Sequence, residues 1–253
     1  MAQRVGMITP SSNSVLEPVT AAMLANRPDI SAHFARLRVT EIALDAPALN
    51  QFDPSYMLPA AELLADAKVG SVAWNGTSAS WLGIERDEGL CAAIAARTGI
   101  PATTSTLACL DAIRLADSRR VGLVTPYTDD VQTRIGEVWS RASTPVHAER
   151  HLGIRDNFSF GEIEPATIAD MIRAVVRDGC DAVIILCTNM NGAGVAAQLE
   201  RELDVLILDS VTATLWRSLQ IAGIDADHLG DWGRLFREET FKSQTGGSEH
   251  DAV

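Results

Sequence analysis

The chain has 253 residues, a mass of 27.1 kDa and 47% apolar side chains, enough for one large domain or two lobes with their own cores, which excludes a disulfide-stapled miniprotein and a disordered chain. The formal charge is −12 and the pI about 4.8, with no Lys/Arg cluster, so the attraction that supplies nucleic-acid affinity is missing and no DNA or RNA partner is expected. The apolar runs are strand-sized, as from Asp181 to Cys187, and the opening Met1-Ala2-Gln3-Arg4 carries no leader pattern, so no membrane and a cytoplasmic location are expected.

In chain order, apolar and β-branched runs predict strands at 4–9, 32–39, 69–74, 121–125, 146–151, 182–186 and 205–208. Amphipathic stretches predict helices at 14–25, 59–68, 85–98, 105–116, 128–141, 165–177, 194–203 and 211–223. This alternation argues for an α/β fold built from βα units, with parallel sheets flanked by helices. The segment 240–253 has no apolar period and reads as a flexible tail.

The chain also resembles itself. Arg4-Val5-Gly6-Met7-Ile8-Thr9-Pro10 returns as Arg120-Val121-Gly122-Leu123-Val124-Thr125-Pro126, an offset of 116 residues. Ser71-Val72-Ala73-Trp74-Asn75-Gly76-Thr77 aligns with 182–188 at an offset of 111 residues. Two matches at nearly one offset predict two pseudo-symmetric lobes. The N-terminal lobe is drawn as 4–115 plus 205–236 and the C-terminal lobe as 116–204. Parallel sheets bind ligands beyond the carboxyl ends of their strands, where Pro10, Gly76, Pro126 and Cys187 stand. The site is therefore expected between the lobes, with Cys187 on one face and Gly76 on the other.

Cys187 precedes the polar turn Thr188-Asn189-Met190-Asn191-Gly192. Backbone N–H groups and a helix start there would favour thiolate and lower the thiol's pKa; a small buried hydrophobe is the competing reading. Cys91, Cys109 and Cys180 read as packing residues. Gly76-Thr77-Ser78 offers hydroxyls and N–H groups to a carboxylate, and is equally an ordinary turn. Ser11-Ser12-Asn13-Ser14 reads as a helix cap compatible with anion binding. Tyr127 follows Pro126 into the cleft, and Asn157 is an amide donor in a loop. The five histidines form no triad with a Ser or Cys. No glycine-rich nucleotide loop and no metal-ligand spacing occurs, so neither a nucleotide cofactor nor a metal is expected.

Taken together, Pro10-Ser11-Ser12-Asn13, Gly76-Thr77-Ser78, Thr125-Pro126-Tyr127-Thr128-Asp129-Asp130, Asn157 and Cys187 resemble the aspartate/glutamate racemase superfamily, in the branch of maleate cis-trans isomerase and arylmalonate decarboxylase. The resemblance implies two pseudo-symmetric α/β lobes, no cofactor, and an active site between the lobes. Members with two cysteines place one on each side of the substrate carbon; here Gly76 stands in the first place and only Cys187 remains. That pattern implies a cofactor-independent decarboxylase of a 2-substituted malonate-like acid, with Cys187 as proton donor. Thr77, Ser78, Tyr127 and backbone N–H groups after Cys187 would hold one carboxylate, with Thr188 among the substrate-binding residues. Asn13 and Asn157 are similar to the substrate-binding asparagines of maleate isomerase, and Trp74, Trp81 and Met190 are candidates to line an apolar pocket. A one-cysteine isomerase and a non-catalytic binder of small acids are the alternatives. The partner expected is a small carboxylic-acid substrate, and the oligomeric state is left open, a homo-oligomer included.

Overall fold

The computed structural model describes residues 3–237, and the predicted tail at 240–253 lies outside the described residues. Four strands, β1 (Gln3–Pro10), β2 (Ile30–Leu37), β3 (Val72–Trp74) and β4 (Ala102–Thr104), form a first sheet in the order β2-β1-β3-β4. A second sheet takes β5 (Val121–Thr125), β6 (Val146–His151), β7 (Ala182–Ile185) and β8 (Leu206–Asp209) in the order β6-β5-β7-β8. All pairings within both sheets are parallel. The central strands β3, β5 and β7 are buried along their whole length, as expected for parallel strands covered on both faces.

The internal repeat is a repeat of register. Gly6 lies opposite Val72 and Ile8 opposite Trp74; Gly122 lies opposite Val183 and Val124 opposite Ile185. Counting on from these pairs, Gly76 and Cys187 occupy the same station beyond their strands. The repeated glycine has a steric cause. A Cβ at Gly6 would stand 3.2 Å from Val69 and 3.3 Å from Leu64, and one at Gly122 would stand 2.9 Å from the Cys180 sulfur and 3.1 Å from Val175. A bare backbone therefore lets the covering helix approach in each half, which is also where Cys180 packs.

Ten α-helices among the described residues cover the sheets: α1 (Leu16–Leu24), α2 (Ala46–Asn50), α3 (Pro54–Asp66), α4 (Ala79–Leu82), α5 (Ile84–Thr98), α6 (Ser105–Leu115), α7 (Asp129–Arg141), α8 (Pro165–Arg177), α9 (Ala193–Leu203) and α10 (Ser210–Ile221). The halves join along α6 and α10, which pack against each other. At this seam Thr214 Oγ1 and Ser105 Oγ are hydrogen-bonded at 2.7 Å, while the Cys109 thiol bonds to Ser210. Both helices begin directly after the last strand of their sheet. Thr104 caps α6 by accepting from the Leu107 N–H at 3.1 Å, and Asp209 caps α10 by accepting from Val211 and Thr212.

Four differences from the sequence expectations have local causes. The segment 205–236, drawn with the N-terminal lobe, divides: its strand β8 pairs with β7 in the second sheet, and its helix α10 packs on α6 of the first half. The strand β4 was missed because three residues, Ala102–Thr104, give too short a run to show a period. Helix α3 begins at Pro54 rather than at 59, because Asp53 accepts from the Ser55 N–H at 2.8 Å and Pro54 sits in the first turn. The short helices α2 and α4, absent from the expected set, fill loops after β2 and β3.

Two carboxyl groups are wholly buried at the seam's edges. Burial pushes both Asp87, beside the Thr104 hydroxyl, and Asp209 up to about 7. The folded chain thus holds protons that the unfolded chain releases near pH 4, so stability should fall as pH rises from about 4 through 7. Melting curves across that window should show the fall, and Asp87→Asn should flatten part of it. A Tm that rises toward neutral pH would contradict the buried neutral carboxyls.

Candidate active site

The carboxyl ends of β3 and β7 meet at the centre of the molecule. Cys187, two residues past β7 and 3% exposed, accepts a hydrogen bond from the Asn189 N–H at 3.4 Å. The Met190 N–H and the Tyr127 hydroxyl also favour its charged form, yet burial outweighs them and pushes the thiol up to about 12. The turn was expected to lower this pKa. The N–H groups are present as expected, but desolvation is the larger effect, and the group is a neutral thiol at neutral pH.

Tyr127 bridges the halves. Its hydroxyl lies 2.7 Å from Thr77 Oγ1, and desolvation, followed by the neighbouring Cys187, raises the phenol well above its usual range. The ring is wedged edge-on between Trp81, at 5.2 Å between ring centres, and Phe160, at 5.7 Å; Phe52 extends the chain beyond Trp81 at 5.8 Å. Such edge-to-face contacts fix the ring and so the direction of the hydroxyl.

Thr77 and Ser78 form the turn from β3 into α4, and both are buried. Ser78 Oγ accepts from the Trp74 indole N–H at 3.4 Å. Gly76, just before them, lies against the same indole.

A second polar layer adjoins the thiol. Thr188 Oγ1 donates to the Asn75 carbonyl at 3.0 Å, tying the two strand ends together. Asn13 donates to the Thr188 carbonyl and hydroxyl at 3.1 and 3.2 Å, while its own oxygen caps α1 through the Val15 and Leu16 N–H groups. Asn189 accepts from the Ser14 N–H at 2.9 Å and donates to the Asn157 carbonyl at 2.6 Å. Asn157 in turn donates to Ser12 Oγ at 2.7 Å. Pro10 ends β1, and its carbonyl accepts from the Asn13 N–H at 3.1 Å.

The structure thus brings Cys187, Tyr127 and Thr77 into one bonded group, places Gly76 and Ser78 beside it against Trp74, and sets Thr188, Asn13 and Asn157 in the adjoining layer, with Pro10 shaping its turn. Asn189 was not singled out in the sequence, although it stands two residues from Cys187 in the same polar turn; it connects the loops of both halves. The partners of Cys187, Tyr127 and Thr77 are hydroxyls and backbone N–H groups, suited to an anion held by hydrogen bonds rather than by an ion pair. Among the described residues, no group of three or more His, Cys, Asp or Glu is placed to hold a metal ion, and no helix is long and apolar enough to cross a membrane.

Comparison with known proteins agrees with this geometry. The family model for arylmalonate decarboxylase matches residues 5–236. The chain is 28% identical to arylmalonate decarboxylase of Bordetella bronchiseptica over 92% of this chain and 96% of that one. It is 25% identical to maleate isomerase of Geobacillus stearothermophilus over 86% and 90%. Among solved structures, a doubly substituted arylmalonate decarboxylase in its liganded form superposes with a TM-score of 0.84 at 26% identity, covering 93% of this chain and 99% of that one. Maleate cis-trans isomerase of Nocardia farcinica shares the fold with a TM-score of 0.85 at 22% identity, covering 93% and 98%. Fold and relatives define an enzyme of the decarboxylase and isomerase type. The chain belongs to the arylmalonate decarboxylase family.

The Thr77–Tyr127 bond predicts an energetic coupling that needs no substrate to detect. Thr77→Val and Tyr127→Phe should each destabilise by about 1–2 kcal/mol, because each leaves a buried hydroxyl without its partner. The double variant should lose clearly less than the two losses added. Chemical denaturation measures all three, and strict additivity would mean that the two hydroxyls are not bonded.

Proposed function

We propose that the protein is a cofactor-independent decarboxylase of a 2-substituted malonate or similar acid, with Cys187 as the proton donor. The observation that carries this reading is the pairing of one buried neutral thiol with a glycine at the matching station of the other half. One carboxylate is held by Thr77, Ser78, Tyr127 and N–H groups in the turn after Cys187. The other lies against the apolar wall, where loss of solvation disfavours its charge. The bond from the central carbon to that second carboxylate breaks and CO₂ leaves. The electron pair remains as an enediolate on the retained carboxyl, whose donors bind it more strongly as charge gathers there. The Cys187 proton then passes to carbon, and the thiolate regains a proton from solvent. Gly76 offers no acid on the opposite face, so the proton arrives on one face only, and a single enantiomer forms where the central carbon carries two different substituents besides its carboxyl groups.

A second reading, isomerisation through Cys187 as a nucleophile, is favoured by Asn13 and Asn157 beside the site and by the maleate isomerase relatives. The two differ in the working form of the sulfur, since an acid needs thiol and a nucleophile needs thiolate.

Purified protein supplied with 2-substituted malonates should release CO₂, and Cys187→Ser should lower turnover at least about 100-fold. With the thiol held up to about 12, the rate should show no fall between pH 7 and 9 that Cys187→Ser removes. Turnover of maleate without CO₂ release, rising with pH as thiolate forms, would replace decarboxylation by isomerisation. Full activity in Cys187→Ser would remove the sulfur from either mechanism.

A further inference from the structure

The glycine at the station that matches Cys187 does not border open space. A Cβ built at Gly76 would stand 2.4 Å from Trp74 Cε2, 2.4 Å from Cζ2 and 2.6 Å from Nε1, distances at which atoms overlap rather than touch. The six-membered edge and the N–H corner of the indole therefore fill the volume that a side chain at this station would need. Trp74 is fully buried, and its backbone is fixed on both sides, opposite Ile8 on β1 and Thr104 on β4. Its N–H points to Ser78 Oγ. The indole cannot withdraw by a rotamer change without giving up that bond, nor by backbone movement without breaking the centre of the sheet.

Two consequences follow from this packing. The hydroxyl of Ser78, accepting from the indole, keeps its own proton available for an acceptor in the site. Trp81 and Phe160 stand edge-to-face on Tyr127, whose hydroxyl bonds to Cys187, so with the indole over station 76 a bulky group on the reacting carbon would have to displace a ring.

We propose that Trp74 is the specificity-determining residue of this site: its indole occupies the room of a second acid or base at station 76 and limits substrates to acids whose substituent on the reacting carbon is small and aliphatic. This rests on the decarboxylase reading for the identity of the substrate, but the steric part stands on the packing alone.

Four proteins test it: the parent, Trp74→Leu, Gly76→Cys, and the two changes combined. Gly76→Cys alone should lower Tm by at least about 5 °C, the cost of forcing a side chain into filled space. The combined variant should lose clearly less than the two single losses added, because the smaller side chain at 74 vacates that space. The parent should release CO₂ faster from 2-methylmalonate than from 2-phenylmalonate, and Trp74→Leu should move that ratio at least about tenfold toward the phenyl compound. An unchanged Tm in Gly76→Cys, or losses that simply add in the combined variant, would overturn the steric part. An unmoved ratio in a folded Trp74→Leu would overturn the role in specificity. A parent that releases CO₂ from neither acid would fail the decarboxylase reading, while the melting comparison would still decide where the indole stands.

Discussion

Two parallel sheets can share one interior site only if the polar groups at their carboxyl ends find partners across the join, since an unpaired buried polar group costs as much as several good contacts supply. In this chain that pairing is made by side chains. The Thr188 hydroxyl donates to the Asn75 carbonyl, and Tyr127 meets Thr77. Asn13 and Asn189 then use both ends of their amides, one end stabilising a helix start or loop in the first half and the other reaching the second half. The thiol of Cys187 takes its environment from this arrangement: it is enclosed because the layers around it are closed, and it stays protonated because it is enclosed.

The electrostatic character of the site follows from the same enclosure. A helix start and two N–H groups beside a sulfur would favour thiolate if water were present. Here desolvation exceeds their combined effect, and the phenol of Tyr127 is likewise held in its neutral form. The site is a set of neutral donors fixed in place before any ligand arrives. Such a set binds a carboxylate modestly and binds it more strongly as negative charge accumulates on its oxygens, the requirement for stabilising an enediolate.

Most of the fold was legible in the chain because the residues that define it are those that periodicity reports. The buried strands are β-branched runs, the helices have one apolar face, and the recurring Arg-Val-Gly reflects a steric need for a bare backbone under the covering helix. The elements that escaped notice, β4, α2 and α4, are three to five residues long, too short for a period of two or 3.6 to be counted. The positions of Cys187, Gly76 and Tyr127 beyond their strands could be read from the chain because strand ends can be located. The role of Asn189 and the overlap of Trp74 with station 76 were not visible, since both depend on how side chains from separate segments pack. The direction of the Cys187 pKa was misjudged for a related reason: a sequence displays the N–H groups near a sulfur but not the depth at which it is buried.

The seam between α6 and α10 is the contact an isologous dimer would make. Ser105 and Ser210 are matching positions, as are Cys109 and Thr214, and each pair reaches across to the other. In a true dimer of half-length chains, the two-fold axis would force the same residue onto both faces of anything bound on that axis. Joining the halves in one polypeptide keeps the geometry of the dimer while freeing the two stations to differ. A thiol at one station and a glycine covered by an indole at the other, and an aspartate cap on one helix against a threonine cap on the other, are arrangements that no homodimer of either half could hold. The handedness of the site is in this sense a property of the chain's covalent continuity.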